Sequence, residues 1–333
     1  MAEKRNALVD VIRVAAAVGI IMGHVDMAGL GAAGVLLGQF LSVRFALMFF
    51  LALIGFYLEK AYQAGKKPVR ARVGALARVY AAWSLVYLAL SFVMLVLVER
   101  MPLGQYLASR IKGFFFSGSY YHFWFYPAVI YALLLIGGVK RLLGHRSLSF
   151  LVPLAAALYT VGLLGTGYLP IGRQIPGLRT LYAAEEFEAV MHLVFLGFPS
   201  VVFGMAAARE SAARTGRTLL AAAAAYAAEC IILCLFLSWR EDPQMLISTP
   251  LLTVLFLRWL NSGRLTVRRV DPQLCRTLSS AMYNVHPLLL AAFALVLPGL
   301  DGLWAFLLCV TGSAAFGWAL YCLRKIRFFA LFI

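Results

Sequence analysis

The sequence predicts an all-α integral membrane protein with about ten transmembrane helices and with both termini in the cytoplasm. Of its 333 residues, 63% are hydrophobic and only 13% are charged. The mean hydropathy is +0.86. Soluble domains contain about 45–50% apolar and about 25% charged residues. The composition therefore excludes a water-soluble enzyme, and the low hydrophobicity that disorder requires is absent.

Apolar runs of membrane-spanning length recur along the whole chain. A helix that crosses a bilayer needs about 20 predominantly apolar residues. We expect a single transmembrane domain over residues 1–333. The predicted spans are 7–29, 38–59, 75–98, 122–139, 148–165, 188–208, 218–238, 243–260, 277–297 and 303–323.

The distribution of basic residues predicts the orientation. Of the 30 Lys and Arg residues, 21 fall in the termini and loops on the N-terminal side of the predicted membrane, and six fall on the other side. Cytoplasmic loops are rich in Lys and Arg, so both termini are expected to be cytoplasmic, and the protein is expected to span the inner (cytoplasmic) membrane of the cell several times. A net charge of +16 would favour nucleic acid in a soluble protein, but here the charges separate apolar runs, and we expect no nucleic-acid partner. The outer loop 99–121 is expected to lie in the membrane interface.

The first span carries the most informative polar residues. Asp10 and Arg13 are three residues apart, so they lie on one helix face and are expected to pair. Arg13 and His24 are eleven residues apart, which places them on nearly the same face, about 16 Å apart along the axis. Ionisable groups inside a membrane are costly and mark function by default. The alternative is that Arg13 and His24 reach the two headgroup layers.

The pattern Asp10-x-x-Arg13-x10-His24 resembles the first-helix signature of the membrane-bound acyltransferase-3 family. The second span resembles that family's pattern of paired Phe followed by a Gly, here the segment from Arg44 to Gly55. These matches cover the first two spans in the order expected for the family.

Three further stretches resemble later motifs of the family, in order along the chain. They are Arg78-Val-Tyr, His122-Phe-Trp124, and Tyr283-x-x-His286-Pro287. The matches together extend over nearly the whole chain and fit a layout of ten helices.

Two positions depart from the family pattern. Ile54 stands where a Ser usually precedes Gly55, so any role of that hydroxyl is absent here. The stretch from His192 to Pro199 is similar to a segment of the branch related to vancomycin-resistance serine racemases, in which Arg often occupies the position of His192. The second departure bears on the acceptor more than on the chemistry.

The resemblance implies transfer of an acyl group, expected to be acetyl, from cytoplasmic acyl-CoA to a hydroxyl of a cell-surface or exported glycan or a related small acceptor. We place His24, Asp10 and Arg13 in the catalytic group, with His24 as the base, because His has a pKa near neutrality. Arg13, Arg44 and Arg78 are expected to bind the phosphates of the donor, since guanidinium groups suit phosphate. Acyl-CoA is then a co-substrate, and no permanently bound cofactor is expected.

Four other residues are candidates for contact with the acceptor: His122, Trp124, Tyr283 and His286. Each has a plainer interpretation. A Trp at a span end is often a residue of the interfacial aromatic belt, and a buried His is often a hydrogen-bonded residue of the helix bundle. Glu229, in the seventh span, is expected to make a structural hydrogen bond to a neighbouring helix.

Two rival functions stay open at this point. A buried Arg–His–Asp stripe also suits a transporter for a small amino acid such as serine, which the serine-racemase resemblance favours. A catalytically silent membrane anchor is the third possibility, and the costly charges within the spans argue against it. No metal-ligand spacing or phosphate-binding loop is visible, so we expect no metal site.

Overall fold

The computed structural model describes residues 7–26, 31–184, 186–209, 215–233, 244–263, 265, 267 and 270–333. Three predicted span limits, at residues 29, 238 and 243, lie outside the described residues. The same holds for some of the charges used to predict the orientation, namely Lys4, Arg5, Arg214, Arg240, Arg264, Arg268 and Arg269.

The described part of the chain is all-helical, with no strand. The α-helices are α1 (Ala7–Gly23), α2 (Gly31–Val35), α3 (Val43–Gln63), α4 (Val69–Phe92), α5 (Leu103–Phe116), α6 (Phe125–Leu143), α7 (Ser147–Gly165), α8 (Leu169–Gly172), α9 (Pro176–Tyr182), α10 (Phe187–Val190), α11 (Phe198–Ala207), α12 (Thr215–Ile231), α13 (Thr249–Leu260), α14 (Pro272–Val296) and α15 (Gly302–Leu323). Wider π-helical turns occur at Leu36–Ser42, Val93–Val98 and Met191–Gly197, and 3₁₀ turns at Gly144–Arg146 and Phe329–Phe332.

The protein is a multi-pass membrane protein. Among the described residues, six helical stretches are long and apolar enough to cross a bilayer: Arg44–Gln63, Val69–Val98, Phe125–Gly165, Phe187–Ala207, Pro272–Val296 and Gly302–Leu323. One of them, Phe125–Gly165, covers two predicted spans, because a 3₁₀ turn at Gly144–Arg146 separates α6 from α7. Gly144 has a φ of 54°, which suits a residue without a Cβ.

Two predicted spans are shorter in the structure than in the sequence interpretation. The first helix ends at Gly23, so His24 lies in the turn that follows rather than inside the helix. The eighth begins at Thr249, and its 12 residues extend about 18 Å, well below the thickness of the apolar layer. Residues 244–248 before it are not helical.

The chain divides into two compact units, residues 1–53 with 209–333 and residues 54–208. The expectation of one domain over the whole chain stays a prediction.

In the first unit, α14 packs against both α1 and α15. Its apolar core joins these three helices and is formed by Ala17, Ile21, Val25, Met282, Phe306 and Cys309. A second cluster joins α12 to α13. This packing holds the polar residues at both ends of α1 against α14. The candidate site described below is formed along this contact of α1 with α14.

A carboxylate from α12 caps the short helix α13. The Glu229 side chain accepts hydrogen bonds from the backbone N–H groups of Ile247 and Ser248, at 2.7 and 2.9 Å, and from the Ser248 hydroxyl. A negative group at a helix N-terminus satisfies donors that have no partner within the helix. The structural hydrogen bond predicted for Glu229 is thus confirmed.

The second unit is held together by close helix packing and by a buried ion pair. A Cβ added to Gly55 would lie 1.8 Å from the backbone oxygen of Val201, so only glycine permits the approach of α3 to α11. One turn later in α3, the Glu59 carboxylate lies 2.7 Å from Lys140 Nζ of α6. Glu59 is 1% exposed and Lys140 11% exposed, so the pair is almost fully removed from solvent.

The helix α5 lies in the segment predicted for the membrane interface. Its exposed apolar residues Leu103, Leu107 and Ile111 recur every four positions and so form one stripe. On an adjacent face Tyr106 is buried and donates a hydrogen bond of 2.8 Å to the Leu88 carbonyl of α4. An exposed apolar stripe beside an anchored face is typical of an interfacial helix, and its place in the interface stays a prediction.

Candidate functional site

The N-terminal end of α1 carries a buried carboxylate between two guanidinium groups. Asp10 is fully buried, and its Oδ1 lies 3.6 Å from Arg13 Nη1. The predicted pairing of these two residues is confirmed. The structure adds a third member, because Arg276 Nη1 of α14 lies 3.2 Å from Asp10 Oδ2. The two oxygens of one carboxylate are thus shared between two arginines from different helices.

The other end of α1 brings two histidines into contact. The ring centroids of His24 and His286 are 5.0 Å apart. His24 is exposed, whereas His286 is fully buried in α14. Nδ1 of His286 lies 3.0 Å from the Met282 carbonyl oxygen. A carbonyl only accepts, so Nδ1 carries a proton, and in the neutral form of the ring Nε2 is then an acceptor.

Asp26 follows His24 by two residues, and residues two apart on a helix point in nearly opposite directions, so spacing alone does not predict that Asp26 orients His24. The structure places the ring of His286, which is 262 positions later in the chain, against the ring of His24. The Tyr283 ring lies 6.3 Å from that of His286, so the predicted sharing of one helix face by these two residues is confirmed.

Arg44 lies at the His24 end of α1, close enough to His24 and Tyr226 for electrostatic interaction. The guanidinium is buried near the start of α3. An aromatic cluster adjoins it, in which the Phe45 ring lies 5.3 Å from Phe256 and 6.4 Å from Tyr226. A buried cation at this position favours negative charge nearby.

The turn that carries His24 is fixed by a close backbone contact. A Cβ on Gly302, the first residue of α15, would lie 1.7 Å from the backbone oxygen of Asp26. Only glycine allows the turn and the helix start to approach this closely.

Gly302→Ala is therefore expected to displace the turn and to move His24 away from His286. A misplacement of about 1 Å costs about 10²-fold in rate, so we expect a loss of that order in the acyl transfer that the sequence resemblance implies, measured as thiol release from acyl-CoA. Gly138→Ala is the control, because a Cβ there meets nothing within 4 Å. Wild-type activity in Gly302→Ala would contradict this account of the turn.

The second unit contains His122 and Trp124, the predicted acceptor residues of the fourth span. His122 is buried among aromatic rings. The centroid of its ring lies 4.1 Å from that of Phe123 and 5.3 Å from that of Tyr87. Trp124 is also buried, and its ring stacks on that of His192, with the ring centroids 4.2 Å apart and an angle of 16° between the ring planes. In this structure both residues contact protein groups, and their role in acceptor binding stays a prediction.

The stack of Trp124 on His192 involves a residue at which the sequence departs from the related branch of the family. His192 lies in the π-helical segment Met191–Gly197, and such wide turns are frequent at functional sites. The residue that differs from the related branch is thus the one in contact with Trp124.

Of the remaining predicted donor residues, Arg78 is exposed on α4 in the second unit. Sequence reasoning missed Arg276, which was counted only as a cytoplasmic loop charge. It also missed the contact of His24 with His286, although both residues had been selected separately.

The chain is similar to known proteins over most of its length. Residues 6–322 match the family model described as an acyltransferase domain. An amino-acid racemase of Enterococcus faecalis is 26% identical over 261 residues, which is 74% of this chain and 35% of the relative. A serine/alanine racemase of Enterococcus gallinarum is 29% identical over 196 residues, 57% of this chain and 26% of the relative.

The chain thus spans about a third or less of the length of these curated relatives. The comparison with solved structures gave no match. Since the family match extends over nearly all of an apolar, all-helical chain, the protein belongs to the acyltransferase-3 family.

Proposed function

We propose that the protein transfers an acyl group, acetyl by preference, from cytoplasmic acyl-CoA to a hydroxyl group at the outer face of the inner membrane. The observation that carries this proposal is the contact of His24 with His286 at one end of α1, with Arg13 paired to Asp10 at the other end. The family match supports the reaction class.

The proposed topology has ten spans with both termini in the cytoplasm. Helices occur at each of the ten predicted places, including the two shortened ones, α1 and α13. The excess of basic residues on one side supports the orientation. In this arrangement Arg13 lies at the cytoplasmic end of α1 and His24 towards the outer half of the bilayer.

In the proposed reaction, His24 is the general base. The imidazole accepts the proton of the acceptor hydroxyl while its oxygen attacks the thioester carbonyl. The C–S bond then breaks, the thiolate leaves, and the imidazolium returns the proton to it, giving an ester and free CoA thiol. This reaction does not require a covalent acyl-histidine intermediate.

His286 and Arg44 act around that base. His286 is a positioning residue, because its Nδ1 proton is held by the Met282 carbonyl and its ring lies against that of His24. Arg44 is buried at the same end, so its charge suits the oxyanion that develops on the thioester carbonyl. This differs from the purely donor-binding role that the sequence predicts for Arg44.

The proposed acceptor is a glycan hydroxyl or a related small hydroxyl compound. Tyr283 and His286 are its candidate contacts in the first unit. His122 and Trp124 are separate candidates in the second unit, where His192 stacks on Trp124. The named relatives are racemases of amino acids including serine, so serine, with its own hydroxyl group, is the first small acceptor to try.

The test is acetyl-CoA consumption by the purified protein in proteoliposomes, followed as free thiol in the presence of candidate glycans and of serine. We expect thiol release that depends on both protein and acceptor. No release with any acceptor, at millimolar acetyl-CoA, would overturn the proposal.

The names of the relatives favour one second candidate, uptake of serine or a similar amino acid. A transporter moves labelled serine unchanged and leaves acetyl-CoA intact. The same proteoliposomes therefore separate the two functions when labelled serine is supplied outside and acetyl-CoA is measured in parallel.

A further inference from the structure

Two buried hydroxyl groups on α13 have no hydrogen-bond partner among the residues that the structure describes. Thr249 is 3% exposed and Thr253 is 0% exposed. Oγ1 of neither residue makes a hydrogen bond within the described part of the chain. Burial of a polar group without a hydrogen bond costs free energy, and most buried hydroxyls in proteins are paired. These two hydroxyls therefore point to a partner from outside the chain.

Other threonines in the helices of this protein use their hydroxyls locally. Thr160, Thr166 and Thr311 each donate to the carbonyl oxygen four residues earlier, at 2.9, 3.0 and 2.8 Å. Thr253 lies within α13 and has a carbonyl at the same place, that of Thr249, but its hydroxyl does not make this bond. The Thr253 hydroxyl is therefore directed away from the backbone of its own helix.

Both hydroxyls lie on one face of α13. Thr249 and Thr253 are four residues apart, which places their Cβ atoms about 5–6 Å from each other. Phe256, seven residues after Thr249, continues this face. The centroid of its ring lies 5.3 Å from that of Phe45 in α3. The face that carries the hydroxyls is thus turned towards the start of α3.

The start of α3 is also the part of the first unit that lies near the proposed base. Arg44, in the first turn of α3, is close enough to His24 for electrostatic interaction. The N-terminal end of α13 is fixed in turn by Glu229, whose carboxylate accepts hydrogen bonds from two backbone N–H groups just before the helix. The two hydroxyls are therefore held beside the elements that surround His24.

We propose that Thr249 and Thr253 bind the acceptor, through hydrogen bonds to those hydroxyl groups of the acceptor that do not react. This inference rests on the proposed function and adds two residues that determine which acceptor is used. A threonine hydroxyl both donates and accepts, as does each hydroxyl of the acceptor. Two such groups one helical turn apart suit a ring with several hydroxyls. A simple alcohol offers them nothing once its one hydroxyl lies at His24.

The test compares two acceptors in proteoliposomes, with acetyl-CoA as the donor and free thiol as the readout. Methyl glucoside carries several hydroxyls, whereas cyclohexylmethanol is a ring with one. Thr253→Val should raise the KM for methyl glucoside about threefold to tenfold, the range for loss of one neutral hydrogen bond. Thr249→Val/Thr253→Val should raise it at least tenfold. Neither variant should change the KM for cyclohexylmethanol, and Thr253→Ser, which keeps the hydroxyl, should retain the wild-type KM for both.

Thr277→Val is the matched control. Thr277 is 1% exposed on α14, and its hydroxyl also has no hydrogen-bond partner among the described residues. It lies nine residues before His286, about 13 Å along the helix axis, so the KM for methyl glucoside should stay unchanged. Removal of a buried hydroxyl without a partner should raise the unfolding midpoint of every valine variant. A lower midpoint in Thr253→Val would show that its hydroxyl is bonded within the protein and would overturn the inference.

Three kinetic outcomes would also overturn it. They are an unchanged KM for methyl glucoside in the double variant, an equal rise for both acceptors, and a wild-type protein that acetylates serine or cyclohexylmethanol but not methyl glucoside. Failure of the proposed function has a different signature, because the wild-type protein then releases no thiol with any of the three acceptors. Should the double variant fail to fold, as judged by size-exclusion chromatography, the single variants carry the test.

Discussion

Replacing His24 with alanine is expected to lower acyl transfer from acetyl-CoA by about 10²- to 10⁴-fold, the contribution of a positioned general base. Binding of acetyl-CoA should change little, because Arg13, which the resemblance assigns to the donor phosphates, lies at the opposite end of α1. The rate is measured as free thiol released in the presence of acceptor, and binding by calorimetry.

His145→Ala is the control for this experiment. His145 is an exposed residue of the 3₁₀ turn Gly144–Arg146, in the unit that does not contain His24. We expect wild-type rates from it. A His24→Ala protein that retains more than a tenth of the wild-type rate would show that another group is the base.

The largest effect on stability is expected at the buried pair Glu59–Lys140. Loss of one partner of a buried ion pair costs about 3–5 kcal/mol, because the other charge stays buried after losing its partner in the pair. Lys140→Met also removes the contact of Nζ with the Tyr62 ring, at 4.9 Å. Glu59→Gln and Lys140→Met should each lower the unfolding midpoint markedly in thermal melts in one detergent.

The double variant Glu59→Met/Lys140→Met tests the cause. With both charges removed it should be more stable than either single variant, since neither charge of the pair is then buried without the other. Arg141→Gln, at the exposed neighbouring position, is expected to melt like the wild type. Single variants with unchanged midpoints would contradict the assignment of a buried pair.

The helices themselves follow from the sequence to a large extent. Apolar runs of membrane length predict them because a bilayer leaves the backbone little alternative to internal hydrogen bonds. The residues at which the helices begin and end were less predictable. Gly23 ends α1 before His24, and α13 begins only at Thr249, where Glu229 of another helix supplies the cap.

The site was predictable only where its contacts are local. Asp10 and Arg13 are three positions apart, so helix geometry alone brings them together. Arg276 and His286 reach the two ends of α1 through the packing of α14, and no spacing rule relates residues more than 250 positions apart. The stack of Trp124 on His192 has the same origin, since it joins two separate segments of the second unit.

The most direct test of the central claim follows the acetyl group itself. Membrane vesicles that contain the protein receive acetyl-CoA labelled in the acetyl carbon, together with the acceptor that supports thiol release. The account predicts label in an alkali-labile ester in wild-type vesicles, and none in His24→Ala vesicles. Label that stays on acetyl-CoA, while the same vesicles accumulate unchanged serine, would contradict it.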